Sequence, residues 1–276
     1  MILTETVLLF AGLAMYLGAS LLAIRHFAVG TSPIWLGRAA VLAAVLLHLG
    51  AVIVRGGRTE YSPAQNLQQF GLITLTTMML VVLVVDMSKQ IPAILYGAVP
   101  VALIGIPLAG LVQRTAGAGA AIDAFTPSVW TGLHVIATMV GYACFLIAFV
   151  SGVMYVAAQR ELKTKTERTI QARLPSLETA LRVNRGAVWA GFLLLTTGIV
   201  LGYLYARSAP PAQAWRLDPK IIFTTVTWLC YGVVVALALA PRMRGRPAVV
   251  ASMFSFLTVI LTLWASLTWT EFHRYP

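Results

Sequence analysis

Four histidines punctuate a chain otherwise poor in ionisable groups, and His134 is the one best placed to do chemistry. It stands near the start of a long apolar run, Ser128 to Arg160, with Thr138 and Gly141 at helical spacing below it. An imidazole, a hydroxyl and a bare stretch of backbone therefore share one face of a helix. Such a face meets lipid poorly and should turn toward protein. A histidine inside a membrane is a functional-site candidate, and imidazole is the side chain most used to hold a transition metal or heme iron. A packing histidine hydrogen-bonded to a neighbouring helix fits the same pattern, and this helix alone leaves both readings open.

The elements that must position His134 follow from composition. Of 276 residues, 59% are hydrophobic and 11% charged, with mean hydropathy +0.85. Soluble domains carry about a quarter charged residues, so these values exclude an ordinary soluble fold and predict an all-α, polytopic helical bundle in a lipid bilayer. The net charge of +11 would suggest nucleic acid in a soluble chain. Here the basic residues lie between apolar spans, where they set topology, and no nucleic-acid partner is expected. Cys144 and Cys230 lie inside apolar spans without a Cys-x-x-Cys, which argues against a disulfide framework, a zinc site or a thiol-redox motif.

Eight spans can be drawn: Leu3 to Ile24, Arg38 to Val54, a third ending near Asp86, Ile91 to Val112, the long run from Ser128, Gly186 to Ala206, Ile221 to Ala240, and Ala248 to Thr270. Glu5, in place of a basic leader region, makes the first a retained helix. Ser62-Pro63-Ala64-Gln65 reads as the cap of the third, and Ser176 as the cap of a short interfacial helix ahead of the sixth. Pro92, Pro100 and Pro107 loosen the fourth, which a bundle tolerates. Gly191, Gly198 and Gly202 give the sixth small surfaces for close helix approach. No internal repeat is visible, and residues 1–276 read as one integral-membrane domain.

The odd-numbered connections hold thirteen Lys and Arg residues, seven of them between Arg160 and Arg185, against seven in the even connections and termini. The positive-inside rule then puts the odd connections in the cytoplasm and both termini on the periplasmic side. On that topology His134, His273 and, two turns below Arg55, His48 approach the outer face, whereas His26 ends the first span at the inner face as a solvated or interfacial residue. Trp215 and Asp218 sit in an outer connection, with Arg55, Arg58, Arg207, Arg216 and Lys220 on the same side. Two imidazoles for an iron, an aromatic for a porphyrin face and cations for its propionates are the inventory of a heme site. An interfacial belt of Trp and Arg yields the same inventory.

The order and spacing of Leu133-His134-Val135, Gly141-Tyr142, Leu174-Pro175-Ser176-Leu177-Glu178, Gly191-Phe192-Leu193-Leu194-Leu195-Thr196 and Gly198-Ile199 through Gly202 resemble the cytochrome c assembly family. The likeness covers nearly the whole chain and is strongest to the short, eight-helix CcsA-, HemX- and YpjD-like members. It implies a bacterial cytoplasmic (inner) membrane protein of cytochrome c biogenesis that holds heme, as heme b, at the outer face. His134 matches the first external axial ligand, and His273, in Phe272-His273-Arg274-Tyr275, resembles the second. His48, in Leu46-Leu47-His48-Leu49, resembles a histidine of the second helix. Trp215 would lie against the ring with Asp218 in the same loop, and Arg55, Arg207 and Arg216 would meet propionates.

Two departures narrow the role. Heme-exporting members carry a loop of several tryptophans ending Trp-Asp-Pro-Lys-Glu, where this chain has only Trp215-Arg216-Leu217-Asp218-Pro219-Lys220. They also place a histidine near the inner end of the next span, where Ala238 to Arg242 offers none. The resemblance thus implies binding and presentation of heme, with assembly proteins or apocytochrome c as partners, more than stand-alone catalysis. A different class of function stays open: a heme-free scaffold or regulator acting through the basic Arg160 to Arg185 segment. A small-solute transporter ranks last, since most spans lack deep ionisable residues.

Overall fold

A chain this apolar has one economical way to satisfy its backbone in a bilayer: each N–H and C=O must find its partner within its own helix. The computed structural model describes residues 2–30, 33–56, 67–116, 129–164, 174–208 and 219–268. These contain α1 (Ile2–Ala28), α2 (Ile34–Gly56), α3 (Leu67–Lys89), α4 (Pro92–Ala116), α5 (Val129–Thr164), α6 (Leu177–Ser208), α7 (Pro219–Leu239) and α8 (Arg246–Thr268), with no strand among the described residues. All eight are long and apolar enough to cross a membrane. The chain is an eight-helix membrane bundle.

The start of the sixth helix differs from the sequence expectation. Ser176 does cap a helix, its hydroxyl oxygen accepting the Thr179 N–H at 3.2 Å, but that helix does not stop before the sixth span. It continues as α6 through 32 residues. The polar first turns of α6 hold because Asn184 faces inward and donates to the Ala148 carbonyl at 2.7 Å and the Ser252 hydroxyl at 3.0 Å. A segment dense in charge thus extends a transmembrane helix without a break. The expected cap of α3 at Ser62-Pro63 lies outside the described residues.

Consecutive helices pair, α1 with α2, α3 with α4, α5 with α6 and α7 with α8, and α3, α5 and α8 meet toward the middle. The most deeply buried large side chains include Tyr16, Met78, Met79, Ile94, Leu95, Phe145, Leu195 and Tyr231. Phe145 of α5 and Tyr231 of α7 stack with centroids 3.5 Å apart. Leu3, Phe10, Leu21 and Ile24 of α1, Ile104 of α4, Leu193 of α6 and Phe254 of α8 are exposed on the perimeter, which is the surface a lipid-facing bundle presents.

The two ends are fastened differently. At the end carrying the odd-numbered connections, Arg38 of α2 grips the fully buried Asp86 of α3, Nε to Oδ2 at 2.7 Å and Nη2 to Oδ1 at 3.3 Å. Its Nη1 reaches the Gln90 side-chain carbonyl at 3.1 Å. Gln90 itself adopts the left-handed conformation, φ 54°, and its backbone N–H donates to the Asp86 carbonyl, so the residue that ends α3 also holds the Arg38 clamp. At the opposite end Arg55 of α2 pairs with Glu5 of α1 at 3.1 Å.

Candidate functional site at the α5–α6 seam

Three glycines of α6 explain why α5 lies where it does. A Cβ added at Gly191 would come within 2.6 Å of the Phe145 ring and 3.1 Å of the Gly141 carbonyl oxygen. One at Gly198 would come within 2.5 Å of the Thr138 methyl, and one at Gly202 within 2.8 Å of the His134 ring. The α5 partners thus run backward along the chain, from Phe145 and Gly141 through Thr138 to His134, as the α6 glycines run forward from Gly191 through Gly198 to Gly202. The two helices are antiparallel and in contact along a stripe of missing side chains. His134, Thr138 and Gly141 share a face turned to protein, as their spacing predicted.

Gly202 seats the imidazole and Gly198 orients it. His134 Nδ1 lies 2.6 Å from the Gly198 carbonyl oxygen. A carbonyl only accepts, so Nδ1 carries the hydrogen and donates. In the neutral ring the lone pair is then on Nε2, which makes no hydrogen bond among the described residues. An outer carbonyl that fixes the tautomer and aims the other nitrogen is the arrangement found behind metal-bound imidazoles. Thr138 does not compete for the ring, since its hydroxyl donates back to the His134 and Val135 carbonyls at 2.9 Å.

A cation stands at the same end of the bundle. Lys220, in the first turn of α7, holds its ammonium 4.7 Å from the centroid of the Phe70 ring at the start of α3. Trp228 Nε1 donates to the Thr196 hydroxyl at 2.9 Å and ties α7 to α6, two turns deeper than Lys220. The sequence reading named Lys220 only as one of several cations on this side. Its place over Phe70 depends on α3 and α7 meeting, which spacing along the chain does not disclose.

The remaining expected site residues separate into three groups. Trp215, Arg216, Asp218 and His273 lie outside the described residues, as does the side chain of Arg207. Arg55 is engaged by Glu5. His48 lies in another seam: its ring is wholly buried between α2 and α1, with Nε2 3.3 Å from the Leu9 carbonyl oxygen and the Tyr16 ring centroid 5.5 Å away. A Cβ at Gly12 would come within 2.3 Å of Nε2, so Gly12 is what admits the ring. His48 thus meets a buried backbone acceptor, the Leu9 carbonyl. The α1–α2 pair reaches the rest of the bundle chiefly through α3 and α4, so His48 and His134 are not side by side. His26, expected to be solvated or interfacial, is half-buried at the end of α1 and lies against Phe27 and Tyr96 with ring centroids 5.4 and 5.3 Å away.

Comparison with known proteins agrees with this architecture. The family described as Cytochrome C assembly protein matches residues 7–273. The chain is 26% identical to cytochrome c biogenesis protein CcsA of Synechococcus sp. (strain CC9605), across 96% of this chain and 94% of that protein. It is 24% identical to the protein of the same name from Parasynechococcus marenigrum (strain WH8102), across 85% and 84%. No solved structure matches the chain. With a family match that runs nearly end to end over an eight-helix membrane bundle, the chain belongs to the cytochrome c assembly protein family.

Proposed function

We propose that the protein binds heme, as heme b, at the end of the bundle where α5 begins, and presents it for cytochrome c assembly at the outer face of a bacterial inner membrane. The observation that carries this reading is the His134–Gly198 contact. It supplies an oriented imidazole whose Nε2 lone pair is free to ligate, at a helix end and not in mid-membrane. In this reading His134 and His273, which follows α8 in the sequence, would hold the heme iron, and the iron would supply the redox centre that is delivered.

The protein's own part is binding and orientation. Gly202 and Gly198 hold the His134 ring in one pose. Lys220 offers an ammonium for a propionate, in exchange for its contact with Phe70. Trp215 would lie against the ring, and Arg207 and Arg216 would supply further cations, whereas Arg55 is committed to Glu5. The names of the relatives, cytochrome c biogenesis proteins, support a role in cytochrome maturation, with assembly proteins or apocytochrome c as partners. Cysteine thiols of an apocytochrome would bring the bond-forming chemistry, and the membrane protein would fix the iron and the approach.

Absorbance of the full-length protein purified from heme-replete cells tests the proposal. A Soret band with sharp reduced bands, abolished by removal of both His134 and His273, is the expected result. A protein that purifies folded, stays colourless and takes up no added hemin would be the heme-free scaffold instead.

A further inference from the structure

Along α1 a second set of polar groups lies buried that the heme reading does not use. Tyr16 Oη, Ser20 Oγ and His48 Nδ1 are each shielded from solvent and have no hydrogen-bond partner among the described residues. Tyr16 and His48 are fully buried, and their rings are 5.5 Å apart and tilted by 53°. The Leu9 carbonyl can only accept, so His48 Nε2 carries the hydrogen and Nδ1 presents a bare lone pair. An orphaned acceptor, a phenol and a hydroxyl in one seam are costly to leave unmet in an apolar surround.

Spacing says what meets them. Gly12, Tyr16 and Ser20 recur every four residues and so line one face of α1, rising about 6 Å per step. A water reaches about 2.8 Å to a partner on either side, so one water between two neighbouring polar groups can satisfy both. The buried residues of α2 on the Ser20 side of His48, Val41, Ala44 and Val45, are apolar and supply no side-chain partner. Water also has the right valence. It can donate to His48 Nδ1, and both accept from and donate to the two hydroxyls.

We propose that the α1–α2 seam is a water-binding site, a short file of ordered waters running from His48 Nδ1 past the Tyr16 hydroxyl to Ser20. The site is separate from the α5–α6 seam and does not depend on heme. It makes α1–α2 a hydrated pair. The contrast within the same molecule is Tyr231, equally buried, whose hydroxyl donates to the Ser252 carbonyl at 3.4 Å and whose ring is covered by Phe145.

Radiolytic hydroxyl labelling reads bound water directly, because radicals formed from a water modify the side chain beside it. In the full-length protein in lipid nanodiscs, Tyr16 should label at least several-fold faster than Tyr231 despite equal burial, and His48→Leu should bring Tyr16 down toward Tyr231. Should that variant fail to fold, Tyr16→Phe with labelling read at His48 serves in its place, and should lower it. Tyr16 and Tyr231 equally unreactive in the wild-type protein would mean a dry seam and overturn the proposal. Fast Tyr16 labelling that neither variant changes would overturn it too, by showing that the water is not held by these groups.

Discussion

The α-carbon of Gly202 lies directly against the imidazole of His134, so close that a single methyl group on it would come within 2.8 Å of the ring. Gly202→Ala should therefore push the ring off the Gly198 carbonyl and cost about 1–3 kcal/mol by overpacking. Gly186 sits on the same helix with nothing within 4 Å of its added Cβ, so Gly186→Ala should be neutral or stabilising by about 0.5–1 kcal/mol through helix propensity alone. Thermal unfolding of both variants in one detergent checks the contrast. Equal melting temperatures would mean that the seam yields to a methyl group and does not fix His134.

The ligand pair makes a sharper demand on the heme reading. His134→Ala or His273→Ala alone should convert six-coordinate low-spin heme to a five-coordinate or labile form, and the double variant should lose nearly all of it. The losses should be strongly non-additive, because one imidazole cannot replace two fixed donors. Free imidazole should restore part of either single variant's spectrum by occupying the emptied axial position. Wild-type heme content in the double variant would place the ligands elsewhere.

Topology is open to a direct assay. A reporter active only in the periplasm should be active when fused after Pro276 and silent when inserted near Lys165, following the thirteen-to-seven charge asymmetry. The reverse pattern would turn the His134 end of the bundle to the cytoplasm.

The Arg38–Asp86 clamp should behave as a buried pair with unequal partners. Asp86 is fully enclosed and Arg38 partly exposed, so Arg38→Ala strands a buried carboxylate and should cost about 3–5 kcal/mol, whereas Asp86→Ala leaves a guanidinium within reach of solvent and should cost less. Replacing both, Arg38→Met with Asp86→Leu, should recover most of that loss. A double variant as unstable as the sum of the singles would show that the two charges act independently.

Much of this arrangement is legible in the sequence, and the exceptions share a cause. Hydropathy locates all eight helices, and the glycines of the sixth span and the His134, Thr138 and Gly141 face of the fifth each stand out as contact surfaces. Joining them into one seam needs the antiparallel register of α5 and α6. Asp86 reads merely as the end of a span, yet a lone carboxylate closing an apolar helix, on the same side as the Arg38 that opens another, is the available signal for an ion pair. Asn184 escapes the sequence reading because it lies among charges that suggest an interfacial segment, although it shares a buried face with Ala180, Ala187 and Val188 at helical spacing. His48 can be placed at depth by counting residues, but counting cannot supply Leu9 and Gly12 on another helix.

The unbroken length of α6 also has a mechanical consequence. α5 has 36 residues and α6 has 32, about 54 and 48 Å of helix at 1.5 Å per residue, against about 30 Å of hydrocarbon. Neither contains a proline, and they are zipped together over Gly191, Gly198 and Gly202, so the pair lacks a proline kink and moves as one. It is longer than the hydrocarbon it crosses, with Glu178 and Arg182 on a cytoplasmic handle under the proposed topology and His134 at its far tip. A tilt imposed on the handle is delivered to the imidazole as displacement.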